Sequence, residues 1–553
     1  MKMRLTSQKG TLVALLATIL LALTLHGVSH AQTYSHIHVD AVNGTNALTG
    51  RGSAANPYKS ITYALLISTR NNLPDPWHVH ISPGNYDADP AKPATAREIF
   101  PLRLRSEMIF EGTTTAEECI IDGQYTGATT VPLLHGDGPV TIRNLTIQNS
   151  LRTQEKYIMN VGGIVLRDPT GDQKTPSTLE ACIIHNNNGG GVWSNMPLVL
   201  TGNTFSSNVN KVVNSSAYAI GGAVVVSGNT TVRGGEHTDV TDNVFSHNEN
   251  HGLVINGDFV GNVSGNTFQG MRQSALIVGG ILITPRGNLY VGGTLTGDVT
   301  DNIFTENGTT SLMGNGLRAY NLVGNITDNT FKKNRGGAIW IFRHFGEGIY
   351  DGTVTGDIAR NTFTDNTNPL VRGVRSAGTE EAGGFVVGTL TGNVTHNTFT
   401  RNIRNNLGWG RAAGGFVVLH TLTGNVTHNT FTGNNLPFGA RGAAGGGRGG
   451  GSGGFRVKTL IGNVTDNNFT NNSAITWGHQ FVSNGGGFWV DALTGNISRN
   501  IFDTNSTSGD GGGFWVETLS GNISHNKFTK NSAPTDGIIA QKLTADLLSL
   551  IHI

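Results

Sequence analysis

Apolar and polar positions alternate in short runs down most of this chain, and the runs themselves recur. One unit reads Gly383-Gly384-Phe385-Val386-Val387, then Thr389-Leu390-Thr391-Gly392-Asn393, then Asn397-Thr398-Phe399. The closing Phe falls at Phe205, Phe245, Phe268, Phe304, Phe331, Phe363, Phe399, Phe431, Phe469, Phe502 and Phe528, and Asn follows three places later at each except Phe268. A fixed pattern at spacings of roughly 23 to 40 residues implies stacked supersecondary units rather than one globular core. Within a unit, Phe385 and Val387 share a face, Leu390 lies between two threonines, and Asn397 shares a face with Phe399 while Thr398 points away. This is period-2 patterning in β-forming residues, and no segment of the repeat sustains a helical period. Three short strands per turn, repeated, predict an all-β chain wound as a parallel β-helix. About fourteen coils would make a body about 65 Å long at one strand spacing per coil.

Stacking of equivalent side chains accounts for the abundance of Asn. Asn397, Asn429, Asn467, Asn500 and Asn526 fall in one column on the side of the Phe column. A buried amide is costly unless paired, but a stacked amide can donate to one neighbour and accept from the next. A second column, Asn393, Asn425, Asn463, Asn496 and Asn522, follows Gly and suits a left-handed turn, with Asp298 and Asp357 substituting on other coils. Many of these asparagines match Asn-x-Ser/Thr, but a laddered or inward Asn cannot carry a glycan.

The ends break the pattern. In residues 1–31, Lys2, Arg4 and Lys9 precede the apolar run Thr11 to Leu25, and Ser29-His30-Ala31 fits a cleavage site. This reads as a signal peptide, with the mature chain starting at Gln32 and holding no transmembrane segment. Residues 32–112 read as an N-terminal cap with the first strands, including a short helix with Ser60 as its N-cap. Such a helix would close the open apolar end of the stack. Residues 113–197 read as irregular first coils, 198–534 as the repeat coils, and 535–553 as a degenerate last coil. In that last coil Ile538-Ile539-Ala540, Leu543 and Leu547 overlay Phe514-Trp515-Val516, Leu519 and Ile523. Export permits disulfides, but Cys119-Ile120-Ile121 and Cys182-Ile183-Ile184 share a phase with Leu145-Thr146-Ile147 between them. That places the two cysteines two layers apart, about 9 to 10 Å, too far for a bridge.

Two resemblances rest on these residues. Val39-Asp40, Pro57-Tyr58, Ser60-Ile61, Ala64-Leu65 and Pro83-Gly84-Asn85-Tyr86, within residues 37–112, resemble the N-terminal region of secreted pectin-lyase-like right-handed β-helix proteins. Residues 198–531 resemble the repeats of chlamydial-type polymorphic outer membrane proteins, whose Gly-Gly-Ala-Ile and Phe-x-x-Asn signatures stand here as Gly336-Gly337-Ala338-Ile339 and Phe363-Thr364-Asp365-Asn366. The first implies a right-handed helix. The second implies surface display and adhesion, without the C-terminal outer-membrane barrel that those proteins carry.

Charge adds little at the scale of the chain. The 553 residues hold 38 Lys and Arg against 37 Asp and Glu, so no overall field points to nucleic acid or to a membrane surface. A polysaccharide lyase or glycoside hydrolase is the enzyme alternative, since such enzymes also use β-helices. A hydrolase needs two convergent carboxylates. The pairs Asp168 with Asp172 and Asp239 with Asp242 read as turn residues. Asp301 and Asp328 share a column on neighbouring coils and are the candidate for a calcium site. Arg360, His396, His428, Arg499 and His525 continue that column, which suits a solvated face instead. No motif calls for a cofactor.

Binding residues are easier to nominate. Trp340, Trp489 and Trp515 occupy the outward position of the first strand, either open for sugar stacking or covered by cross-strand packing or a neighbouring loop. Arg404, Trp409, Arg411, Arg441 and Arg448 fall between a Phe-x-x-Asn and the next Gly-Gly, hence on one edge, and residues 401–460 contain no Asp or Glu. Arginine matches carboxylate and sulfate geometry. The expected partner is an acidic polysaccharide or surface glycan, with no specific nucleic acid, and the expected location is secreted or cell-surface.

Overall fold

A computed structural model describes residues 33–47, 52–124, 131–150, 162–171, 175–209, 222–227, 238–279, 281–284, 287–290, 293–309, 314–341, 343–345, 348–350, 352–368, 381–404, 412–436, 451–475, 483–534, 538–543, 547–548 and 551–552. The signal-peptide segment 1–31 lies outside them. The chain is a right-handed parallel β-helix, the hand that parallel crossovers adopt. In a repeat coil the first sheet takes Phe385–Val387 and Thr389–Thr391, the second takes Val394–Thr395, and the third takes Thr398–Thr400. The dipeptide Val394–Thr395 is thus a strand of its own, while the Phe-Val-Val and Thr-Leu-Thr runs share a sheet. In later coils those runs fuse into single strands, Phe416–Thr423 and Phe488–Thr494. The third sheet holds 16 strands, all in parallel register, among the described residues. At one strand spacing per coil the stack is about 70 Å long, slightly longer than expected because the cap strands continue the same sheets.

Two phenylalanine columns fill the interior. Phe399 and Phe431 stack at 4.8 Å between ring centroids, within 2° of parallel. The first-sheet column does the same, with Phe416 and Phe455 at 4.8 Å. Between the columns the rings tilt, as with Phe416 against Phe431 at 41°. The separation of the parallel rings is that of neighbouring strands, so the strand spacing sets it. Room for the rings comes from glycine: a Cβ on Gly415 would sit 2.4 Å from the Gly454 carbonyl oxygen and 3.1 Å from the Phe431 ring.

The Asn column runs as the sequence suggests. Asn429 Oδ1 accepts the backbone N–H of Asn397 at 2.9 Å and its Nδ2 at 3.0 Å. Asn429 Nδ2 in turn donates to Asn467 Oδ1 at 3.0 Å and to the carbonyls of Val394 and Thr427 at 2.8 and 3.0 Å. The Asn of Phe-x-x-Asn forms a second buried ladder, with Asn402 Nδ2 donating to Asn434 Oδ1 at 3.0 Å and to the Phe363 carbonyl at 2.8 Å. The irregular unit after Phe268 puts Met271 in that column. Asn248 Nδ2 there meets Met271 Sδ at 3.8 Å, and Met271 N–H donates to Asn307 Oδ1 at 3.1 Å.

The column at Asn393 differs from its expected role. The positive φ belongs to the preceding glycine, +148° at Gly392, and to the residue before each ladder Asn, such as His396 at 56° and Arg401 at 49°. Asn393 and its equivalents form an outer ladder instead. Asn425 N–H donates to Asn393 Oδ1 at 3.0 Å, and Asn393 N–H to Asp357 Oδ1 at 2.7 Å. The essential duty here is to accept, which a carboxylate does as well, so Asp is admitted.

At the N-terminus the helix Ile61–Arg70 is capped by Ser60, whose Oγ accepts the Tyr63 N–H at 3.3 Å. The buried Glu98 carboxylate accepts the N–H groups of Ile61 and Thr62 at 2.8 and 2.7 Å. The helix turns Ile61, Ala64 and Ile67 onto the core. Ile121, Ile147 and Ile184 pair in successive layers, so Leu145 lies between the levels of Cys119 and Cys182. Both thiols are buried, and burial pushes the Cys182 pKa up to about 12. At the far end Phe514 pairs with Ile538 and Ile523 with Leu547.

The ladders differ in what they demand, and this gives a test. Asn429→Asp removes a buried donor and sets a carboxylate against carbonyl oxygens. It is expected to cost at least about 3 kcal/mol or to prevent folding. Asn425→Asp, in the outer column, should cost less than about 1 kcal/mol. Urea unfolding of both variants, followed by circular dichroism, checks the contrast.

Candidate functional site

The outward column of the first sheet runs Arg318, Trp340, Val386, Val417, Arg456, Trp489 and Trp515 in continuous register. It is outward, as the alternation requires, but it is not open. Trp340, Trp489 and Trp515 are only 7%, 6% and 3% exposed. Trp340, Val386, Val417 and Leu419 join Ala382 and Ala413 in a second hydrophobic cluster apart from the main core. Those alanines belong to a small parallel sheet formed by Glu381–Ala382, Ala412–Ala413 and Gly451–Ser452. The chain between repeats therefore folds back over this face and covers it. The expectation of open indoles is corrected; cover by a neighbouring segment is what the fold provides. Arg456, also buried, lies 3.9 Å from the centre of the Trp489 ring and 3.7 Å from Asp491 Oδ1, and the two indoles meet edge-on at 4.8 Å.

Arg404 is corrected in the same way. It belongs to the strand Ile403–Arg404, pairs with Asn368 on the preceding coil and is 2% exposed, so it is part of the body and not of an exposed loop. Trp409, Arg411, Arg441 and Arg448 lie outside the described residues.

Asp301 and Asp328 do share a column, at left-handed corners with φ of 57° and 61°. Asp328 is not available as a calcium ligand, because Arg360 Nε and Nη2 take its two oxygens at 2.8 and 2.7 Å. That hydrogen-bonded pairing holds the Asp328 carboxyl below its ordinary range. Asp466 and Arg499 repeat the arrangement at 2.7 Å, while His396 and His428 stack at 4.8 Å between them. The column is a charge ladder on a solvated corner. Among the other candidate acids, Asp239 Oδ1 accepts the Asn262 N–H at 2.8 Å, Asp242 is a left-handed corner, Asp168 Oδ1 accepts the Thr170 N–H at 2.9 Å, and Asp172 lies outside the described residues.

Sequence reasoning passed over a histidine group on the cap. The strands Ser35–Val39 and Trp77–Ile81 pair in parallel, His36 beside His78 and His38 beside His80. The residues between them, Ile37, Val39, Val79 and Ile81, are buried, so the four imidazoles share the outer face. Glu111 and Arg143 follow His80 on the next two coils. The signal was present as two His-x-His strands, since residues two apart on a strand face the same way.

The family model described as a protein of unknown function, DUF1565, matches residues 42–330. The chain belongs to this family. Two solved structures are similar over most of its length. The Dettilon tailspike protein has 13% identity, 82% of this chain and 71% of that one covered, and a TM-score of 0.31. The A-module of a mannuronan C-5 epimerase of Azotobacter vinelandii has 10% identity, 87% and 94% covered, and a TM-score of 0.26. No curated protein matches the chain. Among the described residues no helix is long and apolar enough to cross a membrane.

Burial of the tryptophans changes what their removal should do. Trp489→Ala is expected to lower stability by about 3 to 5 kcal/mol, as for a large core aromatic. Thermal unfolding checks this; an unchanged melting temperature would mean that the indole stands in water.

Proposed function

We propose that the protein is an exported, cell-surface or extracellular β-helix that binds or scaffolds an acidic polysaccharide or surface glycan and does not degrade it. The observation that carries this reading is the common edge from which the inserted segments leave the stack. Ile403–Arg404, Asn435–Leu436 and Ser473–Ala474 pair in one small parallel sheet, and Ala412–Ala413 and Gly451–Ser452 pair in another. Segments 405–411 and 437–450 are thus held at their ends on successive coils, at one strand spacing. They contain Trp409, Arg411, Arg441 and Arg448, in a stretch, 401–460, without an acidic residue. Stems repeated at one strand spacing, with arginines in the sequence that joins them, suit a polymer that repeats its own anionic group.

Export rests on the basic-apolar-small pattern of residues 1–31. The adhesive role gains support from the resemblance of residues 198–531 to polymorphic outer membrane protein repeats. Arg404, Trp340, Trp489 and Trp515 leave the list of contact residues because they are buried.

Binding of polyuronate and sulfated glycans by the purified protein should weaken as salt rises, since exposed charges are screened within about 10 Å at 0.1 M. The triple variant Arg411→Ser, Arg441→Ser, Arg448→Ser should bind at least about tenfold more weakly at low salt, with an unchanged melting temperature. Release of unsaturated or reducing ends from these polymers would overturn the reading in favour of a lyase or hydrolase.

A further inference from the structure

We propose that His36, His78 and His80 form a binding site for one divalent transition-metal ion of the imidazole-preferring class, with Glu111 orienting His78. One ring nitrogen from each of the three histidines lies within 4.8 Å of the others. His36 Nδ1 and His80 Nε2 face each other at 2.9 Å. Two imidazole nitrogens cannot present lone pairs to each other at that distance, so a proton or a cation must lie between them. His78 Nε2 bonds Glu111 Oε2 at 2.5 Å, and Arg143 Nη2 bonds the same oxygen at 3.0 Å. In the neutral ring with its proton on Nε2, facing this carboxylate, Nδ1 of His78 is the nitrogen left to meet an ion. A carboxylate behind the far nitrogen of a ligating histidine is the usual way in which a metal ligand is oriented.

The surroundings favour the ligating form. The His38 ring stacks on His80 at 4.6 Å and 13°, which fixes its plane. His36 is exposed while His78 and His80 are partly buried, so an ion can enter from solvent and keep an open coordination position there. In a tetrahedral site the ligand atoms lie about 3.3 Å apart, so binding an ion would open the 2.9 Å contact between His36 and His80 slightly and draw the His78 nitrogen, now within 4.8 Å, towards them. Three nitrogen ligands suit Zn²⁺, Ni²⁺ or Cu²⁺, whereas Ca²⁺ requires oxygens. A bound ion would tie the first strand of the stack among the described residues, Ser35–Val39, to its neighbour Trp77–Ile81.

The test is calorimetric titration of the metal-free full chain with Zn²⁺, with the melting temperature measured alongside. One ion per chain is expected at micromolar or tighter Kd, with a melting temperature that rises with free Zn²⁺. His78→Ala with His80→Ala should weaken binding at least 100-fold. His36→Ala, a change at an exposed ring that leaves the fold intact, should weaken it at least tenfold. Glu111→Gln should weaken it about 10- to 100-fold with an unchanged circular dichroism spectrum. His396→Ala with His428→Ala should bind as the unmodified chain does. Absence of binding at millimolar Zn²⁺, equal affinity after loss of His36, or loss of binding in the His396 and His428 variant would each overturn the site. Unchanged affinity in Glu111→Gln would overturn the role given to that carboxylate.

Discussion

Every coil of this protein must turn sharply, and the backbone at each turn must bond to something other than a strand. Two buried asparagine columns meet that requirement. The residue before each ladder Asn is left-handed, as at His428 with φ 57° and Asp365 with φ 55°, a conformation costing roughly 1 to 2 kcal/mol for a residue with a Cβ. The amide of the next coil captures the backbone N–H that the turn exposes, as Asn467 Oδ1 does for Asn429 at 2.9 Å. The same amide donates back to a carbonyl of the coil before. A corner is therefore stabilised by its neighbours rather than by its own sequence, and the corner residue is free to be Asp, Arg, His, Lys or Gly. That freedom is why charge varies along the corner while the place beside it in the repeat coils is kept for Asn, with Met271 as an exception.

The second consequence concerns which surfaces are free. A solenoid offers three outer faces, and the first sheet's carries Trp340, Val417, Trp489 and Trp515, too apolar to stand in water as a continuous stripe. The chain between coils folds over it with Ala382 and Ala413 and leaves the buried Arg456 stacked on Trp489. Insertions on this edge thus have two duties. Their stems seal an apolar column, and the segments between the stems carry the contact role proposed above. Two antiparallel hairpins, Ile281–Thr284 with Gly287–Tyr290 and Arg343–Phe345 with Gly348–Tyr350, leave from within the first sheet instead.

Much of this was legible in the sequence for a physical reason. A parallel stack repeats its environment coil after coil, so the Phe column, the Asn amide ladder and the interruption after Phe268 all appear as spacing. What did not repeat was harder to read. The burial of Arg404 depends on where an insertion of variable length folds back, and alternation alone places Trp489 outward without saying what covers it. Asn393 departs from its expected role because the left-handed φ lies on Gly392 itself and not on the residue after it. The histidine group was missed because His36, His38, His78 and His80 lie on the cap, outside the repeat, and only the pairing of Ser35–Val39 with Trp77–Ile81 brings them together.

The central claim is that amide side chains, not water, satisfy the backbone at the corners. Residue-resolved hydrogen exchange of the native protein tests it most directly, at the backbone N–H groups of Asn397, Asn429, Asn467 and Asn500, each of which donates to the Oδ1 of the next ladder Asn. The account predicts that these corner amides exchange as slowly as those in the third-sheet strands and are released with them in one opening event. Fast exchange at the corners beside slow exchange in the strands would contradict it.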